Sequence, residues 1–209
     1  TRCSRDWSSD GSSDLQLKAE GFESIPKELH LLPMEAPRWD FSHLKGVEHV
    51  VHGAGVLSGN SLEDYNRTNT EGTLQLVRTL ERPKKMIILS SQAASGPCHP
   101  EQSCKTEVDE DSPVTWYGTS KLQMETRLET DFPESNILFL RPPMILGPRD
   151  TATLPLFKMA RGAVQFKPGF SKKQYSFIAV QDLVEAIVKV LSHPRDFHEL
   201  KQKIGRAHV

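Results

Sequence analysis

The feature that constrains the fold most is a pair of strand-forming runs in which every residue is apolar. Met86–Leu89 reads Met-Ile-Ile-Leu, and Ile137–Leu140 reads Ile-Leu-Phe-Leu. A strand with one face in water alternates apolar and polar residues, whereas a strand inside a parallel sheet is covered on both faces and is apolar throughout. Helix-like patterns separate the predicted strands. The sequence therefore predicts an α/β fold with a doubly wound, Rossmann-like parallel sheet.

The other predicted elements continue this alternation of strands and helices. A long irregular stretch, Gln92–Val114, interrupts it, and loops of this length in compact domains are usually functional or mobile. Its acidic run, Glu107–Asp111, is expected to be a solvated face. Asp182 is expected to cap the last helix. The predicted strands also include Glu28–Met34, Glu48–Ala54, Val164–Lys167 and Ser176–Val180, and the predicted helices are Ser61–Arg82, Val114–Thr130, Leu154–Arg161 and Leu183–Ser192.

Charge and cysteine content limit the partners of this chain. The 209 residues carry a formal net charge of -1, which gives no electrostatic reason to expect nucleic acid or an anionic membrane as a partner. No apolar run approaches the roughly 20 residues that span a bilayer, and the polar start lacks a signal-peptide pattern. Three cysteines fit a reducing, cytoplasmic setting. Cys98 and Cys104 share a loop without a second ligand pair, so free thiols are expected there and no metal site.

The two ends of the chain look foreign to the rest. Residues 1–15, TRCSRDWSSDGSSDL, have no hydrophobic period and have the composition of a disordered tail. The last six residues, IGRAHV, can be back-translated to ATC GGA AGA GCA CAC GTC, which resembles a common sequencing adapter, and the start resembles the complement of the same adapter. We therefore expect the genuine gene fragment to span about residues 16–202. A natural Ser/Asp-rich tail is the alternative.

Three polar residues stand where they can act together chemically. Tyr117 and Lys121 are four residues apart on a predicted helix and therefore lie on one face of it. Ser91 follows the buried strand Met86–Leu89, where it can face them. A phenol with a pKa of about 10 is a poor base at neutral pH, but a neighbouring ammonium favours its phenolate form. This combination can move a proton and a hydride.

Each residue of interest also has a purely structural explanation. Tyr117 could lie on a helix surface, and Ser91 could merely end a strand. Asn69 lies inside the longest predicted helix, close to Gly72. A glycine inside a helix indicates close packing, so Asn69 could be a structural helix residue. His52 is more often a packed histidine than a catalytic one in such a setting. The residues alone leave these alternatives open.

Six short signatures stand in register over Glu48–Leu191. In order and rough spacing they make the chain similar to an extended short-chain dehydrogenase/reductase of the NAD-dependent epimerase/dehydratase family. A Tyr-x-x-x-Lys pair alone occurs by chance in many helices, whereas six signatures in order are specific. They are His52-Gly53-Ala54-Gly55, Asn69-x-x-Gly72-Thr73, Ser90-Ser91-x-x-x-x-Gly96, Tyr117-x-x-x-Lys121, Arg141-Pro142-Pro143 with Gly147-Pro148-Arg149, and Phe177-x-x-Val180-x-Asp182-Leu183.

The resemblance implies an NAD- or NADP-dependent oxidoreductase or epimerase that transfers hydride at a secondary alcohol or ketone of a sugar nucleotide, a steroid-like compound or a related small molecule. Tyr117 would be the catalytic acid/base, Lys121 would assist it, and Ser91 would hold the substrate oxygen. A homodimer of the full-length parent stays open. The implied cofactor-binding residues are Ala54, Gly55, Asn69, Ser90, Tyr117, Lys121, Arg141, Pro142, Pro143 and Met144.

The sequence also departs from the family pattern. It contains no Gly-x-x-Gly-x-x-Gly turn to hold a pyrophosphate at a helix amino end. We therefore expect residues 16–192 to be a partial NAD(P)-binding domain, without its first strands and with only the start of the small substrate lobe, followed by a tail over 193–209. Two other function classes stay open: a non-catalytic dinucleotide-binding regulator, and an inert truncated product. The intact set of Ser91, Tyr117 and Lys121 argues against a regulator.

Overall fold

The structure is a computed structural model. It describes residues 44, 46–80, 82–99, 102, 105–106, 108–148, 150, 153–161, 175–194 and 197. The chain divides into two units, Thr1–Asp40 and Phe41–Val209, and the described residues belong to the second. The predicted tails and the predicted strands Glu28–Met34 and Val164–Lys167 lie outside the described residues, so the predicted domain boundaries stay predictions.

Three parallel strands form the main sheet. They are β1 (His49–His52), β2 (Lys85–Leu89) and β3 (Ile137–Leu140), in the order β1-β2-β3. All of β2 pairs with its two neighbours in parallel register. A second parallel pair joins β4 (Met144–Leu146) to β5 (Phe177–Ala179). These strands confirm the predicted parallel α/β architecture, and the two apolar runs occupy the centre and one side of the sheet.

Five α-helices are described around these strands. They are α1 (Leu62–Asn66), α2 (Thr73–Thr79), α3 (Trp116–Asp131), α4 (Leu154–Ala160) and α5 (Val180–Ser192). Helix α5 packs on one sheet face, where Ile187, Val190 and Leu191 contact a core formed by Ile87, Leu138, Leu140 and Phe197. Neighbouring strand residues point to opposite faces, so Met86 and Ile88, both almost fully buried, belong to the other face. The strand β2 is thus covered on both sides, as its all-apolar sequence predicts.

The longest predicted helix forms, but with an unpredicted interruption. Ser61 caps α1, since its hydroxyl accepts a hydrogen bond from the Asp64 amide at 3.2 Å. Between α1 and α2 the backbone winds as a π-helix over Arg67–Gly72. A π-helix adds one residue to the turn and is common at functional sites. This segment carries Asn69, which is fully buried.

Two predictions about helix ends are settled by the caps. Thr115 caps α3, because its hydroxyl accepts from the Gly118 amide at 3.0 Å, so the helix starts at Trp116, two residues later than predicted. The prediction that Asp182 caps the last helix is wrong. Helix α5 starts at Val180, which places Asp182 inside its first turn, where its negative charge still favours the positive end of the helix dipole.

Candidate active site

The candidate site lies where the three main strands end. Because parallel strands run in one direction, their carboxyl ends meet at one edge of the sheet, where α/β proteins bind ligands. Ala54 and Gly55 follow β1, Ser90 and Ser91 follow β2, and Arg141 follows β3. The structure thus brings most of the predicted site residues to one edge.

Ser91 and Tyr117 face each other at this edge, and the Ser91 side chain stands close enough to lower the pKa of the Tyr117 phenol through hydrogen bonding. Ser91 sits at the start of a 3₁₀ turn, Gln92–Ala94, and its hydroxyl also accepts from the Ala93 amide at 3.1 Å. Tyr117 is the second residue of α3 and is half-buried. The two hydroxyls therefore form one polar unit between the end of β2 and the start of α3.

The protonation state of Tyr117 differs from the sequence-based expectation. We expected the Lys121 ammonium to favour the phenolate. Instead, burial raises the pKa of Tyr117 above its usual value, and the Ser91 hydrogen bond only partly opposes this effect. The physical reason is that a buried phenolate would lose hydration. The site therefore holds Tyr117 as a neutral phenol, which is the form that donates a proton.

Lys121 reaches back across the sheet edge from α3. Its side chain is only 3% exposed, and its Nζ donates to the Leu89 carbonyl at 3.0 Å. Burial lowers the pKa of Lys121 to about 8, while the charge of Glu125 acts in the opposite direction. The ammonium thus closes the end of β2 and stays close to the loop that follows β1.

Gly55 has a steric reason to be glycine. A β-carbon there would lie 3.1 Å from Lys121 Nζ and 3.1 Å from Asn69 Oδ1. These distances are shorter than ordinary van der Waals contact, so a larger residue would push against both polar groups. Without a side chain at Gly55, the loop after β1 packs directly against the Lys121 ammonium and Asn69.

Asn69 holds the loop after β1 in place. It is fully buried, and its Oδ1 accepts from the Val56 amide at 2.8 Å. Its Nδ2 donates to the Val56 carbonyl at 3.3 Å and to Ser120 Oγ at 3.0 Å. Its two amide donors are therefore used by the protein itself. A direct contact between Asn69 and cofactor stays a prediction, whereas the contacts give it a positioning role.

His52 belongs to the packing behind the site. Its Nε2 lies 2.9 Å from Thr73 Oγ1, and that hydroxyl donates its proton to the Asn69 carbonyl. Nε2 must therefore carry the hydrogen and donate to Thr73. Burial, followed by the charge of Lys121, lowers the pKa of His52 to about 3. A neutral, packed imidazole agrees with the structural explanation of His52.

Ser90 offers an unused polar atom. Its residue is 5% exposed, and its backbone amide donates to the Leu140 carbonyl at 2.7 Å. Among the described residues, its Oγ is the only buried side-chain nitrogen or oxygen without a hydrogen-bond partner. Buried hydroxyls in proteins are nearly always bonded. Ser90 Oγ and the Lys121 ammonium, both at the end of β2, are polar groups that fit a hydroxyl-rich group such as a cofactor ribose.

Arg141 was predicted to contact cofactor, but its side chain serves another purpose. It is 1% exposed, and its five N–H donors are engaged by Glu125, Asp111 and Ser95. The expectation that the acidic run is a solvated face is wrong at Asp111, because this carboxylate pairs with Arg141 at 2.6 Å. A cofactor contact of Arg141 through its backbone stays a prediction.

The segment after Arg141 lies at the same sheet edge. Pro142 is buried and its carbonyl accepts from the Gln92 amide at 3.0 Å. Pro143 is half-buried, and Met144 begins β4 with 38% of its surface exposed. Pro142 therefore ties the end of β3 to the turn after Ser91, and cofactor contacts of these three residues stay predictions.

Tyr65 is a neighbour of the site that none of the sequence signatures includes. Its ring centroid lies 6.2 Å from that of Tyr117 at an interplanar angle of 59°, a favourable tilted arrangement for aromatic rings. Its hydroxyl donates to the Leu57 carbonyl at 3.3 Å. The spacing of Tyr65 to Asn69, one helical turn, is the signal that could have placed it here.

Metal-ligand clusters and membrane-spanning helices are both absent from the described part of the chain. No group of three or more His, Cys, Asp or Glu residues there could hold a metal ion. None of its helices combines the length and apolar character that a membrane span requires.

The fold and the strand-edge site define a doubly wound α/β protein of the dinucleotide-binding type. The chain belongs to the NAD dependent epimerase/dehydratase family, whose family model matches residues 35–204. It is 28% identical over 151 residues to a ceramide reductase of Caulobacter vibrioides, covering 72% of this chain and 42% of that protein. The chain spans about half the length of the curated relatives it matches.

Solved structures show the same fold. UDP-glucuronic acid 4-epimerase from Bacillus cereus, in complex with NAD, matches with a TM-score of 0.61 and 20% identity over 78% of this chain and 54% of that one. RMD from Pseudomonas aeruginosa, complexed with NADPH, matches with a TM-score of 0.61 and 21% identity over 88% of this chain and 72% of that one. The predicted family, the Rossmann-like fold and a nicotinamide dinucleotide as the family's cofactor are confirmed.

Proposed function

We propose that the protein containing this chain is an NAD- or NADP-dependent oxidoreductase or epimerase that acts on a secondary alcohol or ketone, with Tyr117 as its acid/base. The observation that carries the proposal is the placement of the Ser91 hydroxyl beside Tyr117 at the carboxyl end of β2. Lys121 stands one helical turn from Tyr117 and is almost fully buried. The three residues thus combine a proton donor, an oxygen-binding hydroxyl and a buried cation at one sheet edge.

The two hydroxyls have complementary roles. Ser91 would bind the substrate oxygen, and Tyr117 would donate its proton to that oxygen when a carbonyl is reduced. A raised pKa keeps Tyr117 protonated at neutral pH, which suits proton donation. In the reverse direction Tyr117 would accept the proton of the alcohol as a phenolate, a form that the positive charges of Lys121 and of an oxidised nicotinamide would favour. Positioned acid/base groups of this kind typically accelerate reactions about 10²- to 10⁴-fold.

The cofactor would lie against the loop after β1. Lys121 Nζ and Ser90 Oγ, both at the end of β2, would hydrogen-bond a ribose. When bound, a nicotinamide dinucleotide supplies the site for hydride transfer. The protein residues orient the substrate oxygen toward Tyr117, and Asn69 fixes the loop after β1 through its bonds to Val56.

The substrate class follows from the acid/base set and is a proposal at that level. A neutral phenol beside a serine hydroxyl recognises a carbonyl or hydroxyl oxygen, whatever the rest of the molecule. The names of similar proteins offer two chemical classes as probes, a ceramide and a nucleotide sugar such as UDP-glucuronic acid. We propose a small-molecule substrate from this range, handled in a homodimer of the complete protein.

The experiment uses the complete protein encoded around this chain, with NADH and NADPH and both substrate classes as probes. We expect Tyr117→Phe to reduce turnover at least about 10²-fold while cofactor binding, followed by nicotinamide fluorescence, is kept. Tyr175→Phe is the matched control, because Tyr175 is 62% exposed. Full turnover by Tyr117→Phe would refute the role of Tyr117. Tight cofactor binding with no turnover on any carbonyl or alcohol probe would favour a non-catalytic dinucleotide-binding regulator.

A further inference from the structure

A buried cluster of charges links four parts of the chain. The Arg141 guanidinium, at the end of β3, donates to the Glu125 carboxylate of α3 at 2.7 Å and to both oxygens of Asp111 at 2.6 and 2.8 Å. It also donates to Ser95 Oγ at 2.8 Å. Glu125 is fully buried and Asp111 has 13% of its side chain exposed. A planar guanidinium is the group suited to hold two carboxylates in fixed geometry.

The members of this cluster flank the two residues of the proposed acid/base pair. Ser95 lies four residues after Ser91, and Asp111 lies six residues before Tyr117. Glu125 lies on α3, one turn beyond Lys121 and two turns beyond Tyr117, so it fixes the rotation of the helix that carries both. Arg141 thus holds, from a single side chain, the segment that carries Ser91 and the segment that carries Tyr117.

The backbone segments around the cluster are in close contact. The Ser112 amide donates to the Ser95 carbonyl at 2.9 Å, and Lys105 Nζ donates to the same carbonyl. Gly96 has φ +76°, and a β-carbon there would lie 1.9 Å from the Ser112 carbonyl oxygen. At Gly118 a β-carbon would lie 2.2 Å from the Ala93 carbonyl oxygen. The two segments therefore touch backbone to backbone, so a shift at Asp111 or Ser95 would displace both.

We propose that Arg141 is a positioning residue that sets the placement of Ser91 relative to Tyr117 by clamping Ser95 and Asp111. This inference rests on the proposed function, in which Ser91 and Tyr117 form the acid/base unit. A buried ion cluster is a weak source of stability, because desolvation of the charges offsets their attraction. Its effect here is geometric: Arg141 adds a side-chain clamp to the backbone contacts between the two segments and so fixes their relative position.

The test uses the 209-residue chain and two matched pairs of substitutions. Asp111→Asn removes one carboxylate of the clamp, whereas Asp109→Asn removes a carboxylate whose hydrogen bonds to described residues go to Thr106 and Gln102 in the same loop. Ser95→Ala removes the clamp hydroxyl, whereas Ser112→Ala removes an exposed hydroxyl that Lys105 reaches at 3.3 Å. Ser95→Ala removes no charge and keeps the test available should Asp111→Asn fail to fold.

The readout is the pKa of Tyr117, followed by NMR of carbon-labelled tyrosine, since the chain has only three tyrosines. The Ser91 side chain lowers the pKa of Tyr117. Displacement of Ser91 should therefore raise the pKa of Tyr117. Loss of a nearby negative charge alone would lower it. We expect a higher pKa of Tyr117 in Asp111→Asn and Ser95→Ala, with faster amide exchange at Ala93, and no change in the two controls.

A pKa of Tyr117 that is unchanged or lower in folded Asp111→Asn and Ser95→Ala would overturn the proposal. The outcome is independent of turnover. A raised pKa in a protein whose Tyr117→Phe form keeps full activity would support the clamp and refute the proposed function. In an active complete protein, the clamp predicts that Ser95→Ala lowers kcat more than it raises the KM for cofactor, because the clamp acts on Ser91 and Tyr117, whereas the proposed ribose contacts are Lys121 and Ser90.

Discussion

The ammonium of Lys121 donates to the carbonyl of Leu89 over 3.0 Å, so a helix side chain closes the end of the central strand. The same ammonium lies where a β-carbon on Gly55 would come within 3.1 Å of it. Lys121 is 3% exposed, and the loop after β1 packs closely against this cation because residue 55 has no side chain. The proposed cofactor position depends on this pairing of Lys121 with Gly55.

The first prediction concerns the size of residue 55. We expect Gly55→Val to destabilise the chain by about 1–3 kcal/mol, a typical cost of overpacking, because its side chain would press on Lys121 and Asn69. Cofactor binding by the complete protein is expected to weaken in the same variant. Thermal unfolding and nicotinamide fluorescence measure the two effects.

Gly53→Ala is the matched control for residue 55. A β-carbon at Gly53 would lie 3.5 Å from Leu89 Cδ1, which is ordinary contact. We expect this variant to unfold and bind cofactor as the parent does. If Gly55→Val behaved like Gly53→Ala in both measurements, the close packing of Gly55 against Lys121 would matter neither for stability nor for cofactor binding.

Much of the fold could be predicted because apolar patterns and caps are local. The run Ile137–Leu140 coincides with β3, and Met86–Leu89 forms all but the first residue of β2. The caps Ser61 and Thr115 follow from local hydrogen bonding. The π-helix Arg67–Gly72 could not be predicted, because its extra residue is stabilised by Asn69 bonds to Val56, thirteen residues away.

The residues of the site were easier to predict than their contacts. Ser91 and Tyr117 meet, as their positions on strand and helix indicated. The raised pKa of Tyr117 and the burial of Arg141 depend on desolvation and on partners far apart in the chain. Asp111 lies 30 residues from Arg141, inside an acidic run that has the composition of a solvated loop. Only the packed structure shows such pairings.

The second prediction is a pH dependence of stability caused by Lys121. Burial lowers its folded-state pKa to about 8, whereas an unfolded lysine has a pKa of about 10.4. Between these values the unfolded chain binds more protons than the folded chain, so the contribution of Lys121 to the free energy of unfolding rises with pH. The full rise is on the order of 3 kcal/mol.

Urea unfolding between pH 7.5 and 10 measures this effect, as the difference between the parent chain and Lys121→Met. We expect the parent to gain stability relative to Lys121→Met as pH rises through this window. Glu125→Gln removes the negative charge that raises the pKa of Lys121, so the gain should begin at lower pH in that variant. Parallel pH curves for the parent and Lys121→Met would contradict a depressed pKa.

The third prediction separates a positioning role of Asn69 from a direct contact between Asn69 and the cofactor. Asn69→Ala leaves the Val56 amide and carbonyl without their side-chain partners, and an unsatisfied buried polar group costs about 1–3 kcal/mol. We expect a lower urea midpoint and faster amide exchange at Val56, whose N–H now donates to Asn69 Oδ1 at 2.8 Å. Asn60→Ala, at an exposed position just before α1, should change neither quantity.

Since Asn69 would act on cofactor only through the β1 loop, Asn69→Ala should weaken cofactor binding by the complete protein in proportion to the exchange at Val56. Weakened binding with an unchanged Val56 exchange rate would instead indicate a direct contact between Asn69 and the cofactor.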